Sequence, residues 1–317
     1  MVFFLKKLAV GLFLSSFFFL MQAQAGIVEP IYKQLKDPTT GGQPSTVSMS
    51  ITPDGKKMFV LSHTRNKYYI YDLTTPFDLS TMDVSNRSEV DFVGDDPPSA
   101  SQIKDIEFNN DGTKVFVFGR AGTLHIHNLT TPYDVASISS STAVPDDGLN
   151  YTSAYGTVSR IHGVTFNNDG TKMYLSDGTI TSTDITQVNL STPFDPSSGT
   201  STYNLDTESI TARYTMDLAF DDDGTRLYLS ESNTSVAINY MYVWKLSNPF
   251  ELSSATYVDK WQILGNGNNL SPYAWTFGNN GMKLYIGTED ASTDGDNIIY
   301  EYDLSCPYGI VLCESET

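Results

Sequence analysis

Apolar and polar positions along this chain fall into short runs, and the runs recur as a unit. In one copy, Asp105 to Phe108 ends at Asn109-Asn110-Asp111-Gly112. Asn and Gly tolerate the positive φ of a tight hairpin, so the run is predicted to be a strand, A, entering that turn. Lys114 to Phe118 (KVFVF) is β-branched and aromatic and is predicted as strand B. A glycine-bounded loop, Gly119 to Gly122, leads to Thr123–Leu129, whose period-two alternation marks strand C. Pro132 lacks a ladder donor and stops that strand. A weaker strand D follows, clearest at Glu89–Val93 and Thr256–Leu264. No apolar period of 3.6 is sustained, which excludes helical solenoids.

The unit occurs five times. Its turns are Asp54-Gly55, Asp111-Gly112, Asp169-Gly170, Asp223-Gly224 and Asn280-Gly281, stepping by 57, 58, 54 and 57 residues. A Pro-aromatic pair keeps pace: Pro76-Phe77, Pro132-Tyr133, Pro193-Phe194, Pro249-Phe250 and Pro307-Tyr308. Four antiparallel strands repeated radially make a β-propeller, with strand A innermost. The expected fold is therefore all-β: a five-bladed propeller forming a single domain over residues 26–317. The last unit is too short for its own strand D, so Pro30–Lys36 is expected to complete that blade and hide both open edges. Pro145-Asp146-Asp147-Gly148 imitates a sixth turn but lacks flanking apolar runs and reads as an inserted loop.

The stretches Ser50-Ile51-Thr52-Pro53-Asp54-Gly55-Lys56-Lys57-Met58-Phe59-Val60 and Thr165-Phe166-Asn167-Asn168-Asp169-Gly170-Thr171-Lys172-Met173-Tyr174-Leu175 resemble the repeats of bacterial propellers of the YVTN/NHL type. The resemblance implies the architecture and says little about activity, since that fold hosts lectins, hydrolases, lactonases and scaffolds. Units here are longer than the usual span of about 40–45 residues, mostly through the C–D connection that carries the Pro-aromatic pair.

Residues 1–25 are set aside from the fold. Lys6-Lys7, the apolar stretch Leu8–Met21 and Ala23-Gln24-Ala25 have the layout of a cleaved signal peptide, so the protein is expected to be exported, periplasmic or extracellular. The chain carries a formal charge of −18, and −20 once Lys6 and Lys7 leave with the leader. Such a surface repels phosphate backbones and anionic lipids, which argues against nucleic-acid and membrane partners. Cys306 and Cys313 in an oxidising compartment suggest a disulfide, worth about 2.5 kcal/mol for so short a loop.

Comparing the five units separates two ends of the ring. The A–B turns and C–D connections hardly vary; the B–C and D–A loops vary in length and chemistry. Binding groups are usually carried on loops borne by a rigid scaffold, so the variable end is the expected binding face, for a glycan, a small ligand or a protein, by a monomer. Near the mouth of the channel the ligand-binding candidates are Asp105, Arg160, His162, Tyr214, Asp217 and Tyr273. The alternative is a hydrolase or lactonase-like enzyme in which Asp105, Asp217 and His162 supply acid and base. No cofactor is expected; the alternative there is Ca²⁺ or another divalent cation at these carboxylates. Asp290–Asp296 is oxygen-rich but lacks the EF-hand ligand order and reads as a solvated loop. His125 and His127, two ligands too few for a metal shell, read as surface residues. The column Phe59, Phe116, Tyr174, Tyr228, Tyr285 reads as interblade core, as does Trp275. Neither a nucleophile elbow nor a phosphate-binding loop occurs.

Overall fold

The structure is a computed structural model and describes residues 31–34, 46–62, 67–91, 103–119, 124–144, 161–177, 184–211, 214–232, 238–265, 268–269, 272–288, 298–311 and 313. The leader, Arg160 and the segments 145–148 and 290–296 lie outside them. Its strands are β1 (Ile31–Gln34), β2 (Thr46–Ile51), β3 (Lys57–Ser62), β4 (Lys67–Asp72), β5 (Ser88–Asp91), β6 (Ile103–Phe108), β7 (Lys114–Gly119), β8 (Leu124–Leu129), β9 (Ile138–Val144), β10 (Ile161–Phe166) and β11 (Lys172–Asp177). They continue with β12 (Ile185–Leu190), β13 (Gly199–Leu205), β14 (Thr215–Phe220), β15 (Arg226–Glu231), β16 (Tyr240–Leu246), β17 (Ala255–Gln262), β18 (Leu264–Gly265), β19 (Asn268–Asn269), β20 (Pro272–Gly278), β21 (Lys283–Thr288) and β22 (Ile298–Asp303).

Four-stranded antiparallel sheets form from β2–β5, β6–β9, β10–β13, β14–β17 and β20–β22 with β1, while β18 and β19 make a small hairpin. The innermost strands touch in a closed circuit, β2 to β6 to β10 to β14 to β20 and back to β2. This is a five-bladed β-propeller. As expected, the leading strand finishes the last blade: β1 pairs antiparallel with β22, from Ile31 opposite Glu301 to Gln34 opposite Ile298. Cys306 and Cys313 form a disulfide with Cα atoms 5.8 Å apart, tying down the chain that follows the same blade.

Two expectations shift. Strand A of the second unit begins at Ile103, not Asp105, because a bulge between Ile103 and Asp105 interrupts the alternation by which the strand was read. His125 and His127 are buried, 7% and 1% exposed, rather than on the surface. Each blade is sandwiched between two others, so a period-two pattern does not mark a solvent face here as it would in a sheet with one wet side. The aromatic column and Trp275 are core, none more than 3% exposed.

The two repeated markers are one device. In every unit the aromatic after proline has a left-handed backbone, φ 62 at Phe77, 56 at Tyr133, 54 at Phe194, 59 at Phe250 and 58 at Tyr308. That is a conformation bulky side chains rarely adopt. It turns the ring onto the glycine of the A–B turn, and its amide donates to that glycine's carbonyl, as Phe250 does to Gly224 at 2.9 Å. The acid that follows caps a short 3-10 turn in three units; Asp78, for example, accepts from the Ser80 amide.

The aromatic column joins this device across blades. Tyr174, Tyr228 and Tyr285 donate their hydroxyls to the carbonyls of Phe250, Tyr308 and Phe77 in the next blade, at 2.6, 2.8 and 2.8 Å. Phe116 occupies the same place without a hydroxyl. Its ring lies 6.4 Å from Phe194 at 27°, nearly the 6.4 Å and 30° of Tyr228 and Tyr308. Phe116→Tyr is therefore expected to gain the missing bond to the Phe194 carbonyl and stabilise the fold by about 1 kcal/mol in urea unfolding. A destabilised Phe116→Tyr protein would show that the column's hydroxyls are incidental.

Candidate functional site

Strand A of every blade is bulged near its start, at the end bearing the D–A loops. The register slips between Thr46 and Ser48, Ile103 and Asp105, Ile161 and Gly163, Thr215 and Leu218, and Pro272 and Ala274. The extra residue re-aims a side chain, so Val47, Lys104, His162, Met216 and Tyr273 stand at equivalent points around the axis. Val47 and Met216 are buried; Lys104, His162 and Tyr273 are half-buried. The imidazole of His162 lies 6.5 Å from the Tyr214 ring at 24°.

One step further along each strand stand Ser48, Asp105, Gly163, Asp217 and Ala274, all small or acidic. The reason is close approach of adjacent blades. A Cβ on Gly163 would meet the Met216 carbonyl at 2.6 Å. Asp105 uses that proximity. Its Oδ1 accepts from the Ser48 hydroxyl at 2.6 Å and the Ile106 amide at 2.8 Å, and its Oδ2 from the Val164 amide at 2.7 Å. One carboxylate thus joins three blades. Asp217 repeats the pattern between the fourth and fifth blades, accepting from the amides of Leu218 and Trp275.

Asp105 and Asp217 line an axial cavity of about 340 Å³. The lining continues through Glu107 to Pro53, Asn110, Asn168 and Asp222 in the A–B turns, so the cavity runs toward the uniform end. His162, Tyr214 and Tyr273 are not among its lining residues. The structure thus divides the sequence candidates into two groups: the two aspartates in the axial cavity, and His162 with Tyr214 and Tyr273 at the variable end.

Burial dominates the electrostatics of the cavity. It raises the Asp105 carboxyl to about 7 against the pull of its three donors. Burial, and secondly the charge of Asp105, pushes Glu107 and Asp217 well above the ordinary carboxyl range. Burial also lifts Asp221 to about 6. Among the described residues no group of three or more His, Cys, Asp or Glu side chains is placed to hold a metal ion.

The bulge ring escaped the sequence reading because a bulge leaves no fixed residue type. The position after each bulge is marked in the sequence once the five units are aligned at strand A, since only Ser, Asp, Gly and Ala occur there.

No family model matches the sequence, and no curated protein matches it. Solved structures of similar fold include a luciferin-regenerating enzyme, 11% identical, covering 90% of this chain and 98% of that one with a TM-score of 0.47. The β-propeller domain of Cps50 (Swd1) from Myceliophteria thermophila is 9% identical over 90% of this chain and 88% of that one, TM-score 0.47. A candidate 6-phosphogluconolactonase from Bacteroides fragilis is 13% identical over 79% of this chain and 72% of that one, TM-score 0.42. Likeness at this level carries no argument about what this chain does. The propeller architecture stands on the five sheets; the YVTN/NHL type finds no matching family model.

Proposed function

We propose that this chain is an exported β-propeller that binds a glycan, a small ligand or a protein through its B–C and D–A loop face and catalyses no reaction there. The observation that carries this reading is the ring of bulges, which sets Lys104, His162 and Tyr273 at equivalent points of a common scaffold near one end of the inner strands. Varied polar chemistry at equivalent points of a repeated frame is what a binding face requires. The hydrolase alternative needs a carboxyl group free to exchange its proton with a substrate. Asp105 has both oxygens engaged by neighbouring blades, and His162 lies outside the cavity that Asp105 and Asp217 share. The Cys306–Cys313 disulfide supports an oxidising compartment.

The test is a glycan array together with affinity capture from envelope extract, comparing the native chain with a Lys104→Ala, His162→Ala, Tyr273→Ala triple variant. Binding is expected to weaken by about ten-fold or more, equivalent to about 1.4 kcal/mol, with unfolding midpoints unchanged. Turnover of an ester, lactone or glycoside that disappears in Asp217→Asn would replace this reading with the enzymatic one.

A further inference from the structure

The fifth unit keeps the Pro-aromatic pair but changes what closes the loop around it. In each of the other four, a hydroxyl six places on clasps the residue before proline. The amides of Thr75, Thr131, Thr192 and Asn248 donate to the hydroxyls of Thr81, Ser137, Ser198 and Ser254 at 2.9–3.0 Å. The same hydroxyls lie 3.2–3.3 Å from those residues' carbonyls. In the fifth unit Cys306 stands before the proline, Gly309 in the place of the acid that caps the turn, and Leu312, without a hydroxyl, at the sixth place. The clasp there is the Cys306–Cys313 disulfide. It also fills the room of the cap, since a Cβ on Gly309 would meet the Cys306 sulfur at 2.1 Å and the Cys313 sulfur at 3.1 Å. One unit of five thus closes its loop with a bond that thiol chemistry can open.

The loop so closed holds the fourth and fifth blades together. Tyr308 donates its amide to the Gly281 carbonyl at 2.8 Å and its hydroxyl to Asp222, and its carbonyl accepts from the Tyr228 hydroxyl at 2.8 Å. Ile310, 3% exposed, packs in one apolar cluster with Tyr228 and Tyr302, which Phe277 and Val311 join from its edge. The fourth place in this blade is taken by β1, so residues 306–313 can leave without unpairing one of its strands. The ring itself is closed elsewhere. β1 pairs with β22, and Glu301 of β22 accepts the Leu79 amide of the first blade at 2.8 Å. The disulfide is also open to attack. Cys306 and Cys313 are half-buried, and the exposed Ser305 holds its hydroxyl 3.5 Å from the Cys313 sulfur, where it can donate to a thiolate.

We propose that the Cys306–Cys313 disulfide is a redox latch: a dithiol reductant opens it, and residues 306–313 then detach from the fourth and fifth blades while the ring stays closed. One thiolate of the dithiol attacks the Cys306 sulfur, the Sγ–Sγ bond breaks, and Cys313 leaves as a thiolate steadied by Ser305. The second thiol of the reductant then attacks the mixed disulfide and releases Cys306. Two electrons pass to the protein, the dithiol becomes its own disulfide, and its two protons end on the two cysteines. What the open form uncovers is apolar. The Tyr308 ring lies 6.4 Å from Tyr228 and 4.9 Å from Phe277, and both lose that cover together with Ile310. A hydroxyl clasp, as in the other four units, answers to no reductant.

The test treats the full, disulfide-bonded chain with dithiothreitol near neutral pH without denaturant, and follows it by thiol counting and amide hydrogen exchange. Two thiols per chain are expected, with exchange at Tyr308, Gly309 and Ile310 accelerated by about ten-fold or more. The amides of β1 and β22 should keep their protection, and reoxidation should restore the original pattern. A Cys306→Ser, Cys313→Ser double variant should show the open pattern with or without dithiothreitol, and Ser305→Ala should slow the opening several-fold. A fixed staple behaves otherwise. The proposal falls if the disulfide is reduced only in denaturant that also exposes the β1 and β22 amides, or if two thiols appear while residues 308–310 stay as protected as before. A reduced chain that loses protection across all five blades would overturn it as well.

Discussion

Gly224→Ala is expected to destabilise the propeller by about 2–5 kcal/mol, beyond the cost of an alanine in an ordinary turn. Two penalties combine. Gly224 has φ +71, where an L-alanine costs about 1–2 kcal/mol. The added Cβ would also fall 2.3 Å from the Phe250 ring, so the ring must leave. Displacing it strains a well-packed site by about 1–3 kcal/mol and disturbs the Phe220 contact at 5.2 Å and the Tyr174 bond to the Phe250 carbonyl. A double-mutant cycle isolates the second penalty. In a Phe250→Ala background Gly224→Ala should cost only the backbone part, about 1–2 kcal/mol. Equal costs in both backgrounds, measured by urea unfolding, would show that the ring does not lock the turn.

Asp105→Ala is expected to cost about 3–5 kcal/mol, since it strands the Ser48 hydroxyl and the amides of Ile106 and Val164 in a buried site. The same residue sets an unusual pH dependence. Its folded carboxyl titrates near 7 and its unfolded one near 3.8, so the folded state holds the proton more tightly. The stability it contributes is fully present below about pH 4 and is lost as pH rises to about 7. Glu107, Asp217 and Asp221 are raised in the same direction.

Opposing groups act lower or are fewer. Asp54, Asp111, Asp169 and Asp223 are held below their ordinary value, first by the side-chain hydroxyls of Thr52, Thr113, Thr171 and Thr225, so their contribution disappears only as pH falls below about 4. Burial, and secondly His125, lowers His127 to about 4, and that stability is lost on acidification from about 6.5 downward. Four raised carboxyls outweigh one depressed imidazole across this interval. The urea midpoint is expected to be higher at about pH 5 than at about pH 8, and Asp105→Ala should narrow the difference. A native chain more stable at the alkaline end would rule out a set of buried, unneutralised carboxyls.

How much of this was readable in the residues differs between fold and site. Repeat number, strand order within a blade and closure by the leading segment all follow from local signals. Asp-Gly turns, β-branched runs and proline stops act within a few residues, and five repetitions average away the ambiguity of any one. The alternation failed where it assumed a wet side. His125 and His127 read as exposed because their neighbours alternate, yet a blade has a neighbour on each face. It failed again at the start of strand A, read from Asp105 when the strand begins at Ile103 and a bulge interrupts it before Asp105.

The chain by itself determined five units, their turn chemistry and the join between its two ends, because each depends on backbone preferences of consecutive residues. Only the tertiary structure decided what the acids do. Asp105 and Asp217 are 112 residues apart in the chain, and whether such groups meet a substrate or the amides of the next blade depends on how closely two sheets approach at the axis. That distance is set by Gly163 against Met216 and by rings from different blades packed together, as Tyr174 against Phe220. No local pattern encodes it.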